Sequence, residues 1–352
     1  MTMTRAMSRL TIGLVALLLL LGIGSAAAAQ EGTPAAGGKL SNGMTVEEVG
    51  AVKADKPYKL LAVVKTLSNE YWQTMADGYA AAAAEKGVTI DVISVPTEQD
   101  TEQQLSQLQT KLGEDYDAIL VSPISSVNLI PALAQASEQG IPIINVDEKV
   151  DAQGAEDAGA KITSVIASDN RDAGAKAAQR MIEKVPEGGQ VAIVEGKAGN
   201  PSGQDRKEGF QEAIEAAGTF QVVASQPADW DGPKALDVAT NILQANPDIV
   251  GIYAANDTMA LGVVEAVRAA GKQDQVLVIG TDAVPAALSA VQSGDMEATV
   301  AQFPAEEARI ATGLAILALQ GKPVNGFIPS PIKLITAENV GEMLGGAATP
   351  AP

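Results

Sequence analysis

Polar and aromatic side chains stand at the few points of the sequence where a short apolar run ends. The residues in these positions are Lys65, Ser68, Asn69, Trp72, Asp147, Glu148, Glu195, Gln226, Asp229, Trp230, Asn256, Asp257, Asp282 and Gln302. A carboxylate accepts hydrogen bonds from two neighbouring hydroxyl groups, and an amide offers both a donor and an acceptor. An indole ring packs well against the C–H face of a pyranose. The set is therefore typical of a site for a small polyhydroxylated ligand such as a monosaccharide.

These residues also have a purely structural interpretation. Asp147, Asn256 and Asp282 each precede a helix or turn, where a short polar side chain commonly caps the helix N-terminus. Trp72 and Trp230, the only two tryptophans, would then pack against their own surroundings. The positions of the tryptophans in opposite halves of the chain, beside Asp or Asn, favour binding. For Asp147, Asn256 and Asp282, the sequence supports a helix-capping role and a ligand-binding role equally.

The elements that position these residues follow a regular rhythm. Strands are expected at residues 60–64, 88–95, 117–123, 141–147, 163–169, 190–196, 220–225, 248–254, 275–282 and 298–302. Helices are expected at residues 70–86, 101–113, 130–139, 173–184, 205–217, 233–244, 258–270, 285–293 and 305–319. Apolar strands that alternate with amphipathic helices indicate parallel sheets covered on both faces. The rhythm restarts at residue 163, which predicts an α/β protein of two doubly wound, Rossmann-like lobes that bind ligands beyond their strand ends.

Composition excludes several kinds of chemistry. The chain of 352 residues contains neither His nor Cys, which rules out Ser–His or Cys–His catalysis and His-ligated zinc sites. The net charge of −19 argues against a nucleic-acid partner, because phosphates require patches of Lys and Arg. The Gly-rich segment at 196–203 lacks the Lys-Ser/Thr of a phosphate-binding loop, and we interpret it as a loop that lets the backbone approach a ligand or partner. We expect no cofactor and no metal.

The first residues resemble an export signal. Two arginines precede an apolar run over residues 10–23, and three consecutive alanines follow it. This predicts a signal peptide over residues 1–29, cleavage before Gln30, and a periplasmic or extracellular protein; an uncleaved anchor stays open. A lipid anchor on an N-terminal Cys is not expected. Residues 30–56 show no core pattern and are predicted to form a flexible tether.

Eight segments of the chain occur in an order that one protein family shares. They are KTLSNEYW (65–72), SPISSVNL (122–129), INVDEK (144–149), VEGKAGNPSGQDR (194–206), ASQPADWD (224–231), YAANDTMALG (253–262), VIGTDAVPAA (278–287) and ATVAQFP (298–304). Together they resemble the periplasmic sugar-binding proteins of the ribose-binding, type I group, and within it the D-allose-binding proteins most. The resemblance runs from about residue 58 to residue 337.

This resemblance implies how the lobes and the ligand contacts are arranged. The N-terminal lobe would comprise residues 57–166 plus 303–329, and the C-terminal lobe residues 167–302 plus 330–344, with a disordered tail at 345–352. A three-segment hinge would cross between them near residues 165–169, 301–305 and 328–332. The implied ligand-binding residues are Lys65, Asn69, Tyr71, Trp72, Asp147, Glu148, Arg206, Trp230, Asn256, Asp282 and Gln302.

Three positions depart from ribose-type binders. Glu148 stands where an Arg is usual and Lys65 where a small residue is usual, and a Lys65–Glu148 pair would bracket an extra hydroxymethyl group. That arrangement favours a hexopyranose over ribose. Tyr71 replaces a common Phe and adds one possible hydrogen bond.

The implied function is that of an extracytoplasmic substrate-binding protein of a sugar ABC importer. It would bind one monosaccharide, a D-allose-like hexose, between two closing lobes, act as a monomer with a membrane permease, and catalyse nothing. The sequence also leaves a chemoreceptor as an alternative second partner.

Three alternatives to this function are considered. They are a binder of ribose or another pentose, a DNA-binding regulator, and a glycoside hydrolase that uses Asp147 and Asp282. A regulator would need a basic helix-turn-helix at the N-terminus, where an export signal stands. Against the hydrolase, we expect Lys65 and Arg206 to lower the pKa of both carboxylates and to leave no general acid.

Overall fold

A computed structural model describes residues 43–324 and 326–346 of the protein. The predicted signal peptide at 1–29 lies outside the described residues, as does the predicted tail beyond residue 346. Within the described ranges, no helix combines the length and the apolar character needed to cross a membrane.

Strands and helices alternate along almost the whole described chain. In order they are α1 (Val46–Gly50), β1 (Lys59–Thr66), α2 (Glu70–Lys86), β2 (Thr89–Val95), α3 (Thr101–Lys111), β3 (Ala118–Val121), α4 (Ile130–Glu138), β4 (Ile143–Val146), α5 (Ala152–Asp157), β5 (Ile162–Ser168), α6 (Asn170–Lys184), β6 (Gly189–Glu195), α7 (Pro201–Ala216), β7 (Phe220–Pro227), α8 (Gly232–Ala245), β8 (Ile249–Ala254), α9 (Asp257–Ala269), β9 (Leu277–Asp282), α10 (Pro285–Ser293), β10 (Ala298–Ala301), α11 (Pro304–Leu319), β11 (Phe327–Ser330), β12 (Lys333–Thr336) and α12 (Val340–Gly346).

The strands form two six-stranded sheets. The first has the order β11-β5-β4-β3-β1-β2, and the second has the order β12-β10-β9-β8-β6-β7. All neighbours in the first sheet are parallel, and in the second only β12 runs antiparallel to its neighbour. β3 and β4 are buried at every position, because helices cover both faces of the sheet. The predicted pair of doubly wound α/β lobes is confirmed.

The chain passes between the sheets three times. β5 ends at Ser168 in the first sheet, and the following α6 packs on the second. β10 ends at Ala301 in the second sheet, and α11 returns to pack on β3, β4 and β5 of the first. β11 then ends in the first sheet at Ser330, and β12 begins in the second at Lys333. These passages coincide with the three predicted crossovers.

The prediction of a flexible tether over residues 30–56 is wrong for its described part. Residues 43–56 contain α1, whose N-terminus is closed by a capping box between Thr45 and Glu48. Val49 of α1 is fully buried against α11. Lys86, at the end of α2, donates a hydrogen bond to the Gly50 carbonyl. The segment is therefore part of the first lobe's core.

Another correction concerns α7. Its predicted start at residue 205 is wrong, since the helix begins at Pro201 with Asn200 as its cap. A proline at the first helical position fixes φ without losing a hydrogen bond, because the first N–H groups have no partner within the helix. Arg206 therefore lies in the second turn of α7 and does not open the helix.

Candidate ligand-binding site between the lobes

The carboxyl ends of the two sheets meet around one small polar cavity. It is lined by Lys65, Asn69, Tyr71, Trp72, Glu98, Asp147, Ser202, Arg206, Trp230, Asn256, Asp282 and Gln302. The structure thus brings together all of the predicted site residues except Glu148, which lies behind Lys65 and is fully buried. Glu98 and Ser202 are additional members. That these residues contact a ligand stays a prediction.

The first lobe contributes a buried ion pair to this cavity. Lys65 Nζ lies 2.8 Å from Glu148 Oε2 and 3.7 Å from Glu98 Oε2, so the predicted Lys65–Glu148 pair forms. Burial opposes a charge on each group, yet their mutual attraction outweighs it. The pKa of Lys65 is raised, with Glu148 the largest favourable contribution, and the pKa of Glu148 is lowered by Lys65.

Asp147 is held by the tyrosine that the family resemblance singled out. Tyr71 Oη donates a hydrogen bond of 2.8 Å to Asp147 Oδ1. Asp147 has a left-handed backbone (φ 61°), which turns its side chain away from the strand direction into the cavity. Burial raises the pKa of Asp147, although Lys65 acts in the opposite sense.

Helix capping accounts for some of the candidate residues and not for others. Asn256 Oδ1 accepts the Met259 N–H at 3.0 Å, and Asn69 Oδ1 accepts the Tyr71 N–H at 2.9 Å. Both asparagines therefore cap helices, and their amide nitrogens remain available to the cavity they line. Asp147 and Asp282 cap none of the helices in the described chain. For these two residues the capping interpretation is wrong.

Trp72 is fixed by a residue that the sequence reasoning missed. Its Nε1 donates to Glu98 Oε1 at 3.1 Å, and its ring lies 5.2 Å from Lys65 Nζ. Glu98 follows the end of β2, so the strand-end rule applied to the other residues would have found it. The remaining Glu98 oxygen, Oε2, is buried without a hydrogen bond to any described group.

Trp230 lies across the cavity on the second lobe. It and Asp229 both have left-handed backbones (φ 65° and 54°), which form a tight turn after β7. A Cβ atom at Gly196 would collide with the Trp230 ring, and one at Gly203 would make a tight contact with it of about 3.0 Å. The Gly-rich segment therefore makes room for an indole of the site itself. The Trp230 Nε1 is buried and makes no hydrogen bond to the described residues.

The second lobe also contributes Arg206 and Asp282. Arg206 donates from Nε to Asn170 Oδ1 at 2.7 Å and from Nη1 to the Ala255 carbonyl at 2.8 Å, whereas its Nη1 is 3.5 Å from Asp282 Oδ1. Gln302 Nε2 donates to the same Asp282 oxygen at 2.6 Å. Burial outweighs these attractions and raises the pKa of Asp282 to about 7. The expectation that Lys65 and Arg206 lower the pKa of Asp147 and Asp282 below the ordinary range is therefore wrong.

The backbone around Asp282 is strained and needs support. Asp282 and Ala283 have φ angles of 125° and 58°. Asp257, which is fully buried, accepts the Thr299 hydroxyl at 2.7 Å and the Val284 N–H at 3.0 Å. Thr299 Oγ1 in turn accepts the Ala283 N–H at 3.2 Å. Asp257 therefore positions the loop that carries Asp282 without lining the cavity.

Direct contacts join the two lobes beside the cavity. The Ser202 N–H donates to Glu148 Oε1 at 3.2 Å, and Ser202 Oγ lies 2.8 Å from Glu148 Oε2. Lys197 donates to the Glu98 carbonyl. The cavity itself has a volume of about 30 Å³, which is room for a water molecule or two. These bonds hold the lobes together beside the cavity, while Glu98 Oε2, Trp230 Nε1 and Gln302 Oε1 have no hydrogen bond within the described residues.

A larger cleft lies on the far side of Tyr71, Asp282 and Gln302. It has a volume of about 490 Å³ and runs between α2, residues 283–285 and the start of α11. Its lining is mostly apolar, so it lacks the converging donors and acceptors that a hydroxylated ligand requires. The smaller cavity is therefore the candidate site.

Comparison with known proteins identifies the family to which this chain belongs. Residues 61–323 match the family described as periplasmic binding protein domain. The D-allose-binding periplasmic protein of Escherichia coli K12 is 48% identical over 256 residues, which cover 72% of this chain and 82% of that protein. The chain belongs to the periplasmic binding protein family. A D-ribose/D-allose-binding protein of Pseudomonas aeruginosa is 32% identical over 82% of this chain and 92% of its own length.

Solved structures of periplasmic binding proteins share the fold. An ABC transporter periplasmic solute binding protein of Actinobacillus succinogenes, solved with bound D-allose, superimposes with a TM-score of 0.77 at 37% identity. The match covers 82% of this chain and all of that one. A solute binding protein of Agrobacterium vitis with bound D-fucose has a TM-score of 0.76 at 29% identity, over 82% of this chain and 98% of the other. This periplasmic binding protein therefore shares the two-lobed architecture with proteins that hold single sugars.

Proposed function

We propose that this protein is the extracytoplasmic substrate-binding protein of a sugar ABC importer, and that it binds one monosaccharide between its lobes. D-allose is the favoured sugar. The observation that carries the proposal is the cavity at the carboxyl ends of both sheets, where two indoles, two cations and several carboxylates converge. Relatives that are named for D-allose support the choice of sugar.

The cavity's groups suit a ring of hydroxyls. Asp147 and Asp282 would each accept from vicinal hydroxyl groups, and Arg206 would donate a fork of hydrogen bonds to the ring and its hydroxyls. Trp72 and Trp230, from opposite lobes, offer faces for the apolar C–H surface. Lys65, held in place by Glu148 behind it, would donate to the hydroxymethyl group that distinguishes a hexose from ribose.

The lobes would open and close around the sugar. A hexose of about a dozen heavy atoms does not fit a cavity of about 30 Å³, so the groups that now bond one another must separate and re-form their bonds with the ligand. Neither lobe alone offers partners for all of the hydroxyls, and an unpaired buried polar group costs about 1–3 kcal/mol. The sugar would therefore stabilise the closed arrangement far more than the open one.

We infer that the hinge comprises the crossovers near residues 165–169, 301–305 and 328–332. It would join the lobe that contains α1 to β5, α11 and β11 to the lobe that contains α6 to β10, β12 and α12. Small-angle scattering should show a smaller radius of gyration at sugar saturation. An unchanged radius would contradict hinge closure.

The protein would work with a membrane permease that distinguishes the closed rim from the open one. We propose that it is exported by its N-terminal segment, acts as a monomer, and performs no catalysis. The raised pKa of Asp282 supplies a group that could hold a proton near neutral pH, so the hydrolase alternative needs a direct test. Incubation with aryl glycosides of the best-bound sugar should give no turnover above that of buffer.

Calorimetric titration tests the proposal. The sugars compared are D-allose, ribose, glucose, galactose, xylose and psicose. One site per chain and a dissociation constant of about 1 μM or lower are expected for the best sugar, since small enclosed ligands approach ~1 kcal/mol per heavy atom. Tightest binding of a pentose would replace the hexose assignment with the ribose-type alternative. No binding below about 1 mM would overturn the sugar assignment.

A further inference from the structure

A buried carboxyl group lies where the three crossovers meet. Glu307 is in the first turn of α11, immediately after the second crossover, and its side chain is fully buried. Its Oε1 accepts a hydrogen bond of 3.2 Å from the Ser168 hydroxyl, at the end of β5 and the start of the first crossover. Ser168 is paired in register with Ser330, where β11 ends and the third crossover begins. One carboxyl group thus contacts or adjoins all three segments of the hinge.

The second oxygen of this carboxyl group has no hydrogen bond. Glu307 Oε2 and Ser330 Oγ are both buried and unbonded within the described residues. The Ser330 hydroxyl lies near enough to lower the pKa of Glu307, yet it forms no hydrogen bond of ordinary geometry with Oε2. A proton on Oε2 would remove the negative charge from an oxygen that no described donor satisfies. The same geometry leaves an ionised Glu307 with an unsatisfied, desolvated oxygen.

The charges that face Glu307 do not compensate an ionised carboxylate. Asp147, after β4, repels it, and the phenols of Tyr71 and Tyr79 on α2 lie near enough for Glu307 to raise their pKa values. Arg206 on α7 attracts it, but forms no ion pair with it, and neither does another Lys or Arg of the described chain. The N-terminal end of α11 favours negative charge. Burial nevertheless outweighs these attractions and raises the pKa of Glu307 to about 8.

Lobe opening would change this environment from the cavity side. Tyr71 and Asp147 line the cavity on one side and face Glu307 on the other. Separation of the lobes would admit water to that wall and would also withdraw Arg206. Burial is the largest influence on Glu307, and Asp147 raises its pKa more than Arg206 lowers it, so hydration of this wall would make ionisation easier.

We propose that Glu307 is a proton-linked element of the hinge, which holds a proton when the lobes are closed and releases it when they open. The proposal rests on the proposed function only in that the sugar stabilises the closed lobes. Closure of the lobes is then accompanied by uptake of a proton by Glu307. This uptake occurs when the pH lies between the pKa of Glu307 in the open form and its pKa in the closed form. That window lies between the ordinary pKa of 4.5 and about 8. Within it, sugar affinity falls as the pH rises, by at most tenfold per pH unit for one proton.

The experiment compares the full chain with its Glu307→Gln variant. D-allose, or the best-bound sugar of the titration series, is titrated by calorimetry at pH 5 to 9 in pairs of buffers that differ in ionisation enthalpy. The wild-type protein should take up a fraction of a proton on binding and lose several-fold in affinity across the window. Glutamine can accept from Ser168 and donate toward Ser330, so the variant should bind with a smaller uptake and a flatter pH profile.

The matched control is Glu306→Gln. Glu306 is the neighbouring acid, is partly exposed and pairs with Arg309, and its replacement should leave proton uptake as in the wild type. Asp147 and Asp282 also titrate, and the difference between the proteins isolates Glu307 from them. Equal proton uptake by wild type and Glu307→Gln would overturn the inference while leaving sugar binding, and so the proposed function, intact.

A second measurement, on the wild-type protein, tests the proposal even if the Glu307→Gln variant does not fold. Carbon-13 chemical shifts of the Glu307 carboxyl group in the wild-type protein should show a titration midpoint that rises when sugar is added. A midpoint near 4.5 with and without sugar would contradict the proposal. The absence of any sugar binding would instead overturn the proposed function.

Discussion

The two halves of the cavity are built from similar residues and differ in their charge. Each lobe supplies one buried cation and an aspartate with a left-handed backbone just after or at the end of a strand: Lys65 with Asp147, and Arg206 with Asp282. In the first lobe Lys65 lies 2.8 Å from Glu148, and attraction prevails over burial. In the second, Arg206 lies 3.5 Å from Asp282, and burial prevails over attraction.

The difference follows from where the donors of each cation point. Lys65 directs its ammonium to carboxylates, whereas Arg206 gives two of its N–H groups to Asn170 and to the Ala255 carbonyl. Asp282 is left with a weaker attraction and retains a proton near neutral pH. The first half of the cavity is therefore backed by a fixed ion pair, although burial also raises the pKa of Asp147. The second half presents a carboxyl group, Asp282, that can donate as well as accept. Partner geometry, rather than residue type, determines the charge of each half.

The largest effect is expected from removal of the first lobe's cation. Lys65→Met leaves Glu148 and Glu98 buried without a cation, and should lower the free energy of unfolding by about 3–5 kcal/mol. Urea denaturation measures this change. Lys59→Met on the same strand is the control: Lys59 forms only half-exposed ion pairs, and its loss should cost less than about 1 kcal/mol.

A double variant sharpens this test. Lys65→Met with Glu148→Gln removes both charges of the pair and should recover a large part of the lost stability, because no uncompensated Glu148 charge remains. If Lys65→Met were as stable as Lys59→Met, the fixed charge of the first half would be refuted.

In the second half, the loss of the cation should affect binding more than folding. Arg206→Ala should weaken sugar binding by about 2–4 kcal/mol, roughly 30- to 1000-fold, since it removes a buried fork of donors. Its unfolding free energy should fall by less than that of Lys65→Met, because burial raises the pKa of Asp282 to about 7 and Asp282 is only partly ionised at neutral pH. Lys207→Ala, one residue along α7 and paired with Glu195, should bind sugar within about twofold of the wild type. Calorimetry and urea denaturation on the same samples separate the two effects, and a stability loss equal to that of Lys65→Met would contradict the comparison.

The indoles should show a smaller difference between the halves. Trp72→Ala and Trp230→Ala should each weaken sugar binding by about 1–3 kcal/mol through lost stacking and a wetted cavity. Trp72→Phe should additionally disturb Glu98, to which Trp72 is bonded, whereas Trp230→Phe breaks no hydrogen bond in the described structure. If the rings served packing alone, the melting temperature would fall while the dissociation constant stayed unchanged.

The smallest effect is a difference in pH dependence. The raised pKa of Asp282 means that its contribution to stability is complete below about 4 and is lost as the pH rises toward about 7. Asp282→Asn should therefore gain stability relative to the wild type over that range, by at most about 1.4 kcal/mol per pH unit.

Glu148 should behave in the opposite sense. Its pKa is lowered, so its contribution is present above the ordinary value of 4.5 and is lost as the pH falls through its lower folded value. Glu148→Gln should therefore lose stability relative to the wild type as the pH rises toward 4.5. Urea denaturation from pH 3 to 8 measures both variants. If the difference in unfolding free energy from the wild type changed with pH in the same direction for both variants, the distinction between the two halves would be contradicted.

Much of this site follows from one regularity of the sequence. Residues placed just after apolar strands, such as Lys65, Asp147 and Asn256, lie in the cavity because parallel strands end on the same edge of a sheet. Arg206 escapes the rule since it lies within a helix, and only the family resemblance pointed to it. Ser202 is missed because the start of α7 is hidden in a Gly-rich segment whose Asn-Pro dipeptide is its cap and first residue.

Other features depend on packing that the sequence pattern does not display. The error over the pKa of Asp282 arose because desolvation depends on how completely both lobes cover the group. Glu307 resembles any charged residue at the start of a helix, and its burial results from the return of α11 to the first sheet. The short α1, by contrast, was detectable from its capping box, Thr45 to Glu48.

The three crossovers also bear on when this chain can fold. The first sheet receives its edge strand β11 from residues 327–330, and its covering helix α11 from residues 304–319, long after β1 to β5 have been synthesised. A lobe with such distant contacts folds slowly, because a long loop must close before its distant strand and helix can pack and stabilise the sheet. The N-terminal half therefore emerges from the ribosome without the elements that complete it. This delay would favour the export proposed above, because a chain that has not yet folded can pass through a narrow secretion channel.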